Sequence, residues 1–200
     1  DDPEIHNNLG VALLHKKRIR EALFHFQKSL EMNPDYIEAR NNLENALAEQ
    51  KDMDRAVKRI QEKLKKTPEN ADLYYDLGNL NRAYGEVDKA IVQYQNALSV
   101  KPEFVPALKR LSIMYAMKGR YDKALSLLKK ITEIDPENVD ACYYTACMYA
   151  RQNKVENSVD WLKKAVEKGY KDWESLKTDS NLENIRGSSY YKSLINVRGQ

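Results

Sequence analysis

Glycine and proline are scarce in this chain, 7 and 6 among 200 residues. Such a composition argues against a loop-rich β fold and for long amphipathic helices. Cysteine is nearly absent: only Cys142 and Cys147 occur. Five residues apart on one helix, they fall on different faces with Cα atoms about 8 Å apart, beyond the roughly 7 Å a disulfide can span. They read as free thiols, which favours a reducing compartment and a cytoplasmic location. No stretch approaches the roughly 18 uninterrupted apolar residues of a membrane span, and no signal peptide is present. An excess of one charge is also missing. Lys and Arg number 33 against 30 Asp and Glu, a formal net charge of +3. That balance argues against nucleic acid, which selects a concentrated basic patch.

Catalytic and metal-binding patterns are lacking too. The three histidines, His6, His15 and His25, do not pair with cysteine or carboxylate at ligand spacing, and no HExxH or CxxC occurs. His6 reads as a packing residue. There is no GxGxxG, phosphate-binding loop or GxSxG, and the Asp-rich turns lack calcium-loop spacing. No enzyme activity and no cofactor or metal is expected. The chain opens on Asp1-Asp2-Pro3 rather than on Met, so it reads as a piece of something longer, with further repeats or another domain before it.

Repetition is what the chain does have. Pro34, Pro68, Pro102 and Pro136 recur in Asn33-Pro34-Asp35, Thr67-Pro68-Glu69, Lys101-Pro102-Glu103 and Asp135-Pro136-Glu137. Their spacing is a period of about 34 residues. This frame sets repeats at 3–36, 37–70, 71–104, 105–138 and 139–172. The seventh position carries Leu9, Leu43, Leu77, Leu111 and Thr145, and the eighth Gly10, Glu44, Gly78, Ser112 and Ala146. The twentieth carries Ala22, Ala56, Ala90, Ala124 and Ser158, and the twenty-fourth Phe26, Ile60, Tyr94, Leu128 and Leu162. Small residues let two antiparallel helices, A and B, approach closely, while large ones fill the space around the contact. Proline ends helix B, because the residue before it is pushed out of the α region. Gly85 and Gly119 fall in the A–B turn, where a left-handed residue is often needed. Ordering a residue costs about 1–2 kcal/mol and burying a leucine returns about 1.5–3, so one repeat cannot stand alone and stacking must stabilise it.

Over residues 3–172 this pattern resembles the tetratricopeptide repeat (TPR). The resemblance implies an all-α, right-handed α-solenoid of helix–turn–helix repeats, one domain over 1–200 with a C-terminal cap at 173–197. In the cap, Asp172, Asp179 and Ser188 read as helix N-caps. Trp173, Leu176, Leu182, Ile185, Tyr191 and Leu194 are its expected core, with a binding role for Trp173 as the alternative. Repeat 2 departs most from the pattern. Arg40, Glu44 and Lys63 stand at packing positions, so Glu44 and Lys63 either pair with each other or reach solvent.

In TPR solenoids the A helices line a concave groove that takes protein segments. The positions that match give Asn8, Asn42, Asn45, Tyr75, Asp76, Asn79, Lys109, Arg110, Tyr143 and Tyr144 as the candidate peptide-binding residues. Asn7-Asn8-Leu9 and Asn41-Asn42-Leu43 resemble the TPR arm of O-linked N-acetylglucosamine transferases, where an asparagine ladder grips peptide backbone. Here it covers only Asn8 and Asn42, and simple solvation is the other reading. The carboxylate clamp of chaperone-binding TPR proteins is matched in no register. Glu4, Glu38, Glu49, Asp72 and Asp76 make the first part of the groove acidic, and Lys109, Arg110 and Arg151 make the later part basic. The implied partner is a protein or peptide ligand with basic residues against repeats 1–3 and acidic groups against repeats 4–5. A protein-interaction scaffold is the leading reading. A substrate-recruiting arm of a larger enzyme and a self-assembling structural protein are its rivals.

Overall fold

A computed structural model describes residues 2–198. They form two compact units that divide between Val100 and Lys101. In the first, the helices are α1 (Pro3–His15), α2 (Ile19–Met32), α3 (Ile37–Lys66), α4 (Ala71–Ala83) and α5 (Val87–Val100). In the second they are α6 (Val105–Met117), α7 (Tyr121–Ile134), α8 (Val139–Arg151), α9 (Val155–Glu167) and α10 (Trp173–Thr178), then a 3₁₀ turn (Ser180–Ile185) and α11 (Ser189–Arg198). No strand occurs among the described residues.

Four helical hairpins follow the repeat pattern: α1–α2, α4–α5, α6–α7 and α8–α9. Each turns through one left-handed residue at the same repeat position: Lys17 (φ 57°), Gly85 (φ 74°), Gly119 (φ 69°) and Asn153 (φ 60°). Before the prolines, Asn33, Thr67 and Asp135 have φ between −134° and −137°, outside the α region. Asn70 and Asn138 then cap the next helix by accepting from the N–H of Leu73 and Ala141 at 3.1 and 3.0 Å. The close helix contacts fall where expected. A Cβ added at Gly10 would lie 2.5 Å from the Phe26 ring, and one at Gly78 2.6 Å from the Tyr94 ring.

Repeat 2 is not a hairpin. Residues 37–66 form one uninterrupted helix of 30 residues. Glu44 and Lys63 are both exposed on it. Nineteen residues apart, they stand about 28 Å apart along the axis, so they make no ion pair and both reach solvent. The turn residue does not explain the difference, because Lys17 takes the left-handed turn conformation without being glycine. Glu44 does explain it. A carboxylate at the crowded eighth position would be desolvated, at a cost of several kcal/mol, whereas an unbroken helix keeps every backbone hydrogen bond.

The first half of α3 lies on the α1–α2 hairpin, where Ala46 joins a core of Leu13, Ile19, Ala22, Leu23 and Phe26. The second half meets α4. The tips of the two hairpins converge on the middle of α3. Arg20 and Glu86 pair at 2.9 Å, Tyr84 packs on the first core, and Gln50 and Met53 of α3 share a hollow with Ile19 and Val87. Leu9 departs from its expected role as a buried anchor. It is 43% exposed whereas Leu77 and Leu111 are 3% exposed, because no described helix covers the side of α1 that carries Ile5 and Leu9.

In the second unit the last hairpin ends at Gly169 (φ 102°), and Tyr170, in the place of proline, is buried. Asp172, Asp179 and Ser188 accept from the N–H of Ser175, Asn181 and Tyr191 at 3.0, 2.8 and 3.2 Å, as N-caps should. Leu176, Leu182, Ile185, Tyr191 and Leu194 are buried, and Trp173 is half-buried, edge-on to Tyr170. The expected cap core is present.

Candidate functional site

In the first unit the asparagines do not form a ladder. Asn7 is fully buried and donates to Glu38 Oε1 at 3.3 Å, and Asn42 donates to Asn7 Oδ1 at 2.9 Å. Asn42 therefore ties α3 to α1, while Asn8 and Asn45 are exposed. Asn79 is likewise structural, accepting from the Tyr94 hydroxyl at 2.9 Å. Tyr75 is half-buried beside Tyr94, and Asp76 is exposed. The expected acidity is partly neutralised, since Lys17 pairs with Glu49 at 3.0 Å.

In the second unit α6 and α8 lie side by side, and their facing residues enclose a cleft of about 180 Å³. Ile113, Ala116 and Met117 line it from α6, and Tyr144, Cys147 and Met148 from α8. Asp179 and Asn181 of the tail complete the wall. Met117 is 67% exposed, so a large apolar side chain stands at the surface there. Arg110, Ile113 and Met117 recur at i, i+3 and i+7 and share one face of α6. Arg110 makes no hydrogen bond or ion pair among the described residues. Lys109 differs: it pairs with Asp140 and stands 5.7 Å over the Tyr144 ring. Arg151 is also engaged, its Nε donating to the Tyr121 hydroxyl at 3.2 Å. Of the three expected cations, Arg110 alone is uncommitted.

Tyr143 is not on an open groove. It is 6% exposed, stacked on Tyr170 with ring centroids 4.3 Å apart, and its hydroxyl donates to Asp179 Oδ2 at 2.8 Å. Burial pushes both phenols up, Tyr170 to about 12, so both stay protonated and the Tyr143 hydroxyl stays a donor. The tail covers this end of α8. The Asn184 amide donates to the Ala150 carbonyl at 2.9 Å, and Leu182 and Ile185 are fully buried. Tyr144 stays half-exposed between the apolar cleft and a second, polar hollow that holds Asp140, Asp172, Ser175 and Thr178. Sequence reasoning missed Met148 and the tail residues Asp179 and Asn181 as cleft walls. The substitution of Pro by Tyr170 was the available signal.

Cys142 and Cys147 are buried free thiols, and burial raises both, Cys147 the more strongly, which disfavours the reactive thiolate. No group of three or more His, Cys, Asp or Glu that could hold a metal ion occurs among the described residues. None of the described helices is long and apolar enough to cross a membrane.

Comparison with known proteins matches residues 40–167 to the middle TPR-like domain of cilia and flagella-associated protein 70, and residues 3–36 to the tetratricopeptide repeat. No curated protein is matched. Among solved structures, a tetratricopeptide repeat protein from Parabacteroides merdae is 17% identical, with a TM-score of 0.60 over 97% of this chain and 79% of that one. MamA is 22% identical, with a TM-score of 0.55 over 88% and 95%. YrrB, described as a TPR protein with an unusual peptide-binding site, is 25% identical, with a TM-score of 0.53 over 82% and 84%.

Proposed function

Because the chain belongs to the family of the middle TPR-like domain of cilia and flagella-associated protein 70, we propose that it is a protein-interaction module whose second unit holds a peptide or helical segment in the cleft between α6 and α8. Tetratricopeptide repeats are protein-interaction scaffolds, and the similar YrrB is described as having a peptide-binding site. The observation that carries the reading is an apolar cleft with one uncommitted cation on the same helix face. Ile113, Ala116, Met117 and Tyr144 offer apolar and aromatic surface, the kind in which binding energy concentrates. Arg110 can take a carboxylate with two parallel hydrogen bonds. The matching ligand places a large apolar side chain in the cleft and an Asp, a Glu or a terminal carboxylate about one helical turn away.

The test is selection from a random peptide library on the full chain, followed by affinity measurement with two variants. Selected peptides should pair an apolar residue with an acidic one. Ala116→Trp fills the cleft and should abolish binding. Arg110→Glu removes a charge-assisted hydrogen bond of about 1.5–3 kcal/mol and should weaken binding at least roughly ten-fold, more so in low salt. Peptides that bind both variants as well as the parent chain would overturn the reading.

A further inference from the structure

Seven of the chain's 33 Lys and Arg residues, but only three of its 30 Asp and Glu residues, lie between positions 51 and 66. That half of α3 therefore carries more positive charge than the net +3 of the whole chain, and the remainder is slightly acidic. The helix distributes these charges unevenly. Met53 is buried and Ala56, Val57, Ile60 and Leu64 are half-buried, so one stripe faces inward. On the opposite side Leu47, Lys51, Arg55, Lys58, Glu62 and Lys65 recur three or four residues apart, and all are exposed. At about 3.6 residues per turn they fall within about 80° of the helix circumference and extend over about 27 Å.

This face is free and straight. Arg55 pairs with Asp52, but Lys51, Lys58 and Lys65 make no hydrogen bond or ion pair among the described residues. At the hairpin turn of α1 and α2 the cations are engaged, Lys17 with Glu49, Arg18 with Glu21 and Arg20 with Glu86. Leu47, 47% exposed, puts apolar surface at the end of the row of cations. Because residues 37–66 form one helix, Leu47 and the cations share one line. A hairpin turn in the middle of repeat 2 would place them on separate helices.

We propose that the outward face of α3 holds an acidic helical segment of a protein partner, running antiparallel to it. The charge pattern selects a protein over the other polyanions. A helix that lies on a membrane needs an apolar face free to insert, and the apolar stripe of this half of α3 is turned inward. Nucleic acid presents a row of phosphates, which Glu62 within the stripe would oppose. A protein segment can set a cation against Glu62 and carboxylates against its neighbours. Direction follows from the helix dipoles. Cations crowd the C-terminal half of α3, and carboxylates are favoured at the N-terminal end of a partner helix. An antiparallel arrangement brings those two ends together. The partner then carries Glu or Asp opposite Lys65, Lys58, Arg55 and Lys51, a Lys or Arg opposite Glu62, and an apolar residue against Leu47. Opposed charges of this kind fix register and orientation.

The test titrates a synthetic helical peptide of about 24 residues with that pattern into the full chain. It should bind in low salt and weaken roughly ten-fold or more in high salt. Lys51→Glu combined with Lys58→Glu, both at exposed positions, should weaken it to a similar degree. A peptide with Lys at the two facing positions should restore binding to that variant. Ala116→Trp should leave binding unchanged, since the cleft between α6 and α8 shares no residue with this face. Absence of binding in low salt overturns the proposal. So does equal binding of a scrambled or reversed peptide of the same composition, or tighter binding of a duplex oligonucleotide or of phosphatidylserine vesicles. Loss of binding in Ala116→Trp but not in the charge variant overturns it as well.

Discussion

Gly78 and Glu44 occupy the same repeat position, and the difference between them decides what each helix does. At Gly78 an added methyl would lie 2.6 Å from the Tyr94 ring, which cannot retreat because it is fully buried. Gly78→Ala should therefore cost about 1–3 kcal/mol in a chemical melt, and Leu77→Ala beside it about 2–5. Glu44→Ala, on an exposed stretch of α3, should change stability by no more than about 0.5 kcal/mol. Equal losses at 44 and 78 would mean that the second repeat closes like the others. A residue-scale effect also links stability to pH. His25 Nδ1 lies 2.9 Å from His6 Nδ1, and burial, then the neighbouring His6, holds the His25 imidazole below the usual range. The folded state thus binds fewer protons there than the unfolded chain. Stability is full above the unfolded value near 6.5 and falls as pH drops through it. His25→Gln should flatten that part of the pH profile of the melting temperature, and an unchanged profile would remove His25 as its source.

At the scale of the element, α3 separates what the sequence could reveal from what it could not. The 34-residue period, the buried eighth and twentieth positions and the capping residues were all legible, because each follows from steric demands local to one hairpin. The fusion of repeat 2 was signalled by Glu44 and Lys63 but read as a choice between pairing and solvation inside a hairpin. Lys51 gave no warning, since Lys17 at the equivalent place turns readily. The outcome depends on whether two whole helices can approach, and no short stretch of sequence states that. Lys51→Gly tests it by sign. In a continuous helix the glycine should cost about 1 kcal/mol, whereas at a left-handed turn it should stabilise. Hydrogen exchange gives a second reading. The second half of α3, residues 54–66, has no buried residue and should exchange fastest among the helices of the first unit. Protection equal to that of α4 and α5 would contradict its open packing.

For the molecule as a whole, the family and the fold were legible in the repeats, and the candidate site less so. The repeats implied the tetratricopeptide family, and Ile113, Ala116, Met117, Tyr144 and Cys147 line the cleft between α6 and α8. Tyr143, Asn42 and Asn79 were misread for one reason: each is held by a partner distant in sequence, Asp179, Asn7 and Tyr94 respectively. The proposed function rests on that cleft, and its methionines report on it directly. Met117 and Met148 line the cleft, while Met32 and Met53 lie in the first unit. With methionine methyls labelled, a selected apolar–acidic peptide titrated into the full chain should shift the Met117 and Met148 signals and leave Met32 and Met53 in place. Shifts at Met32 or Met53, with Met117 and Met148 unmoved, would contradict the account.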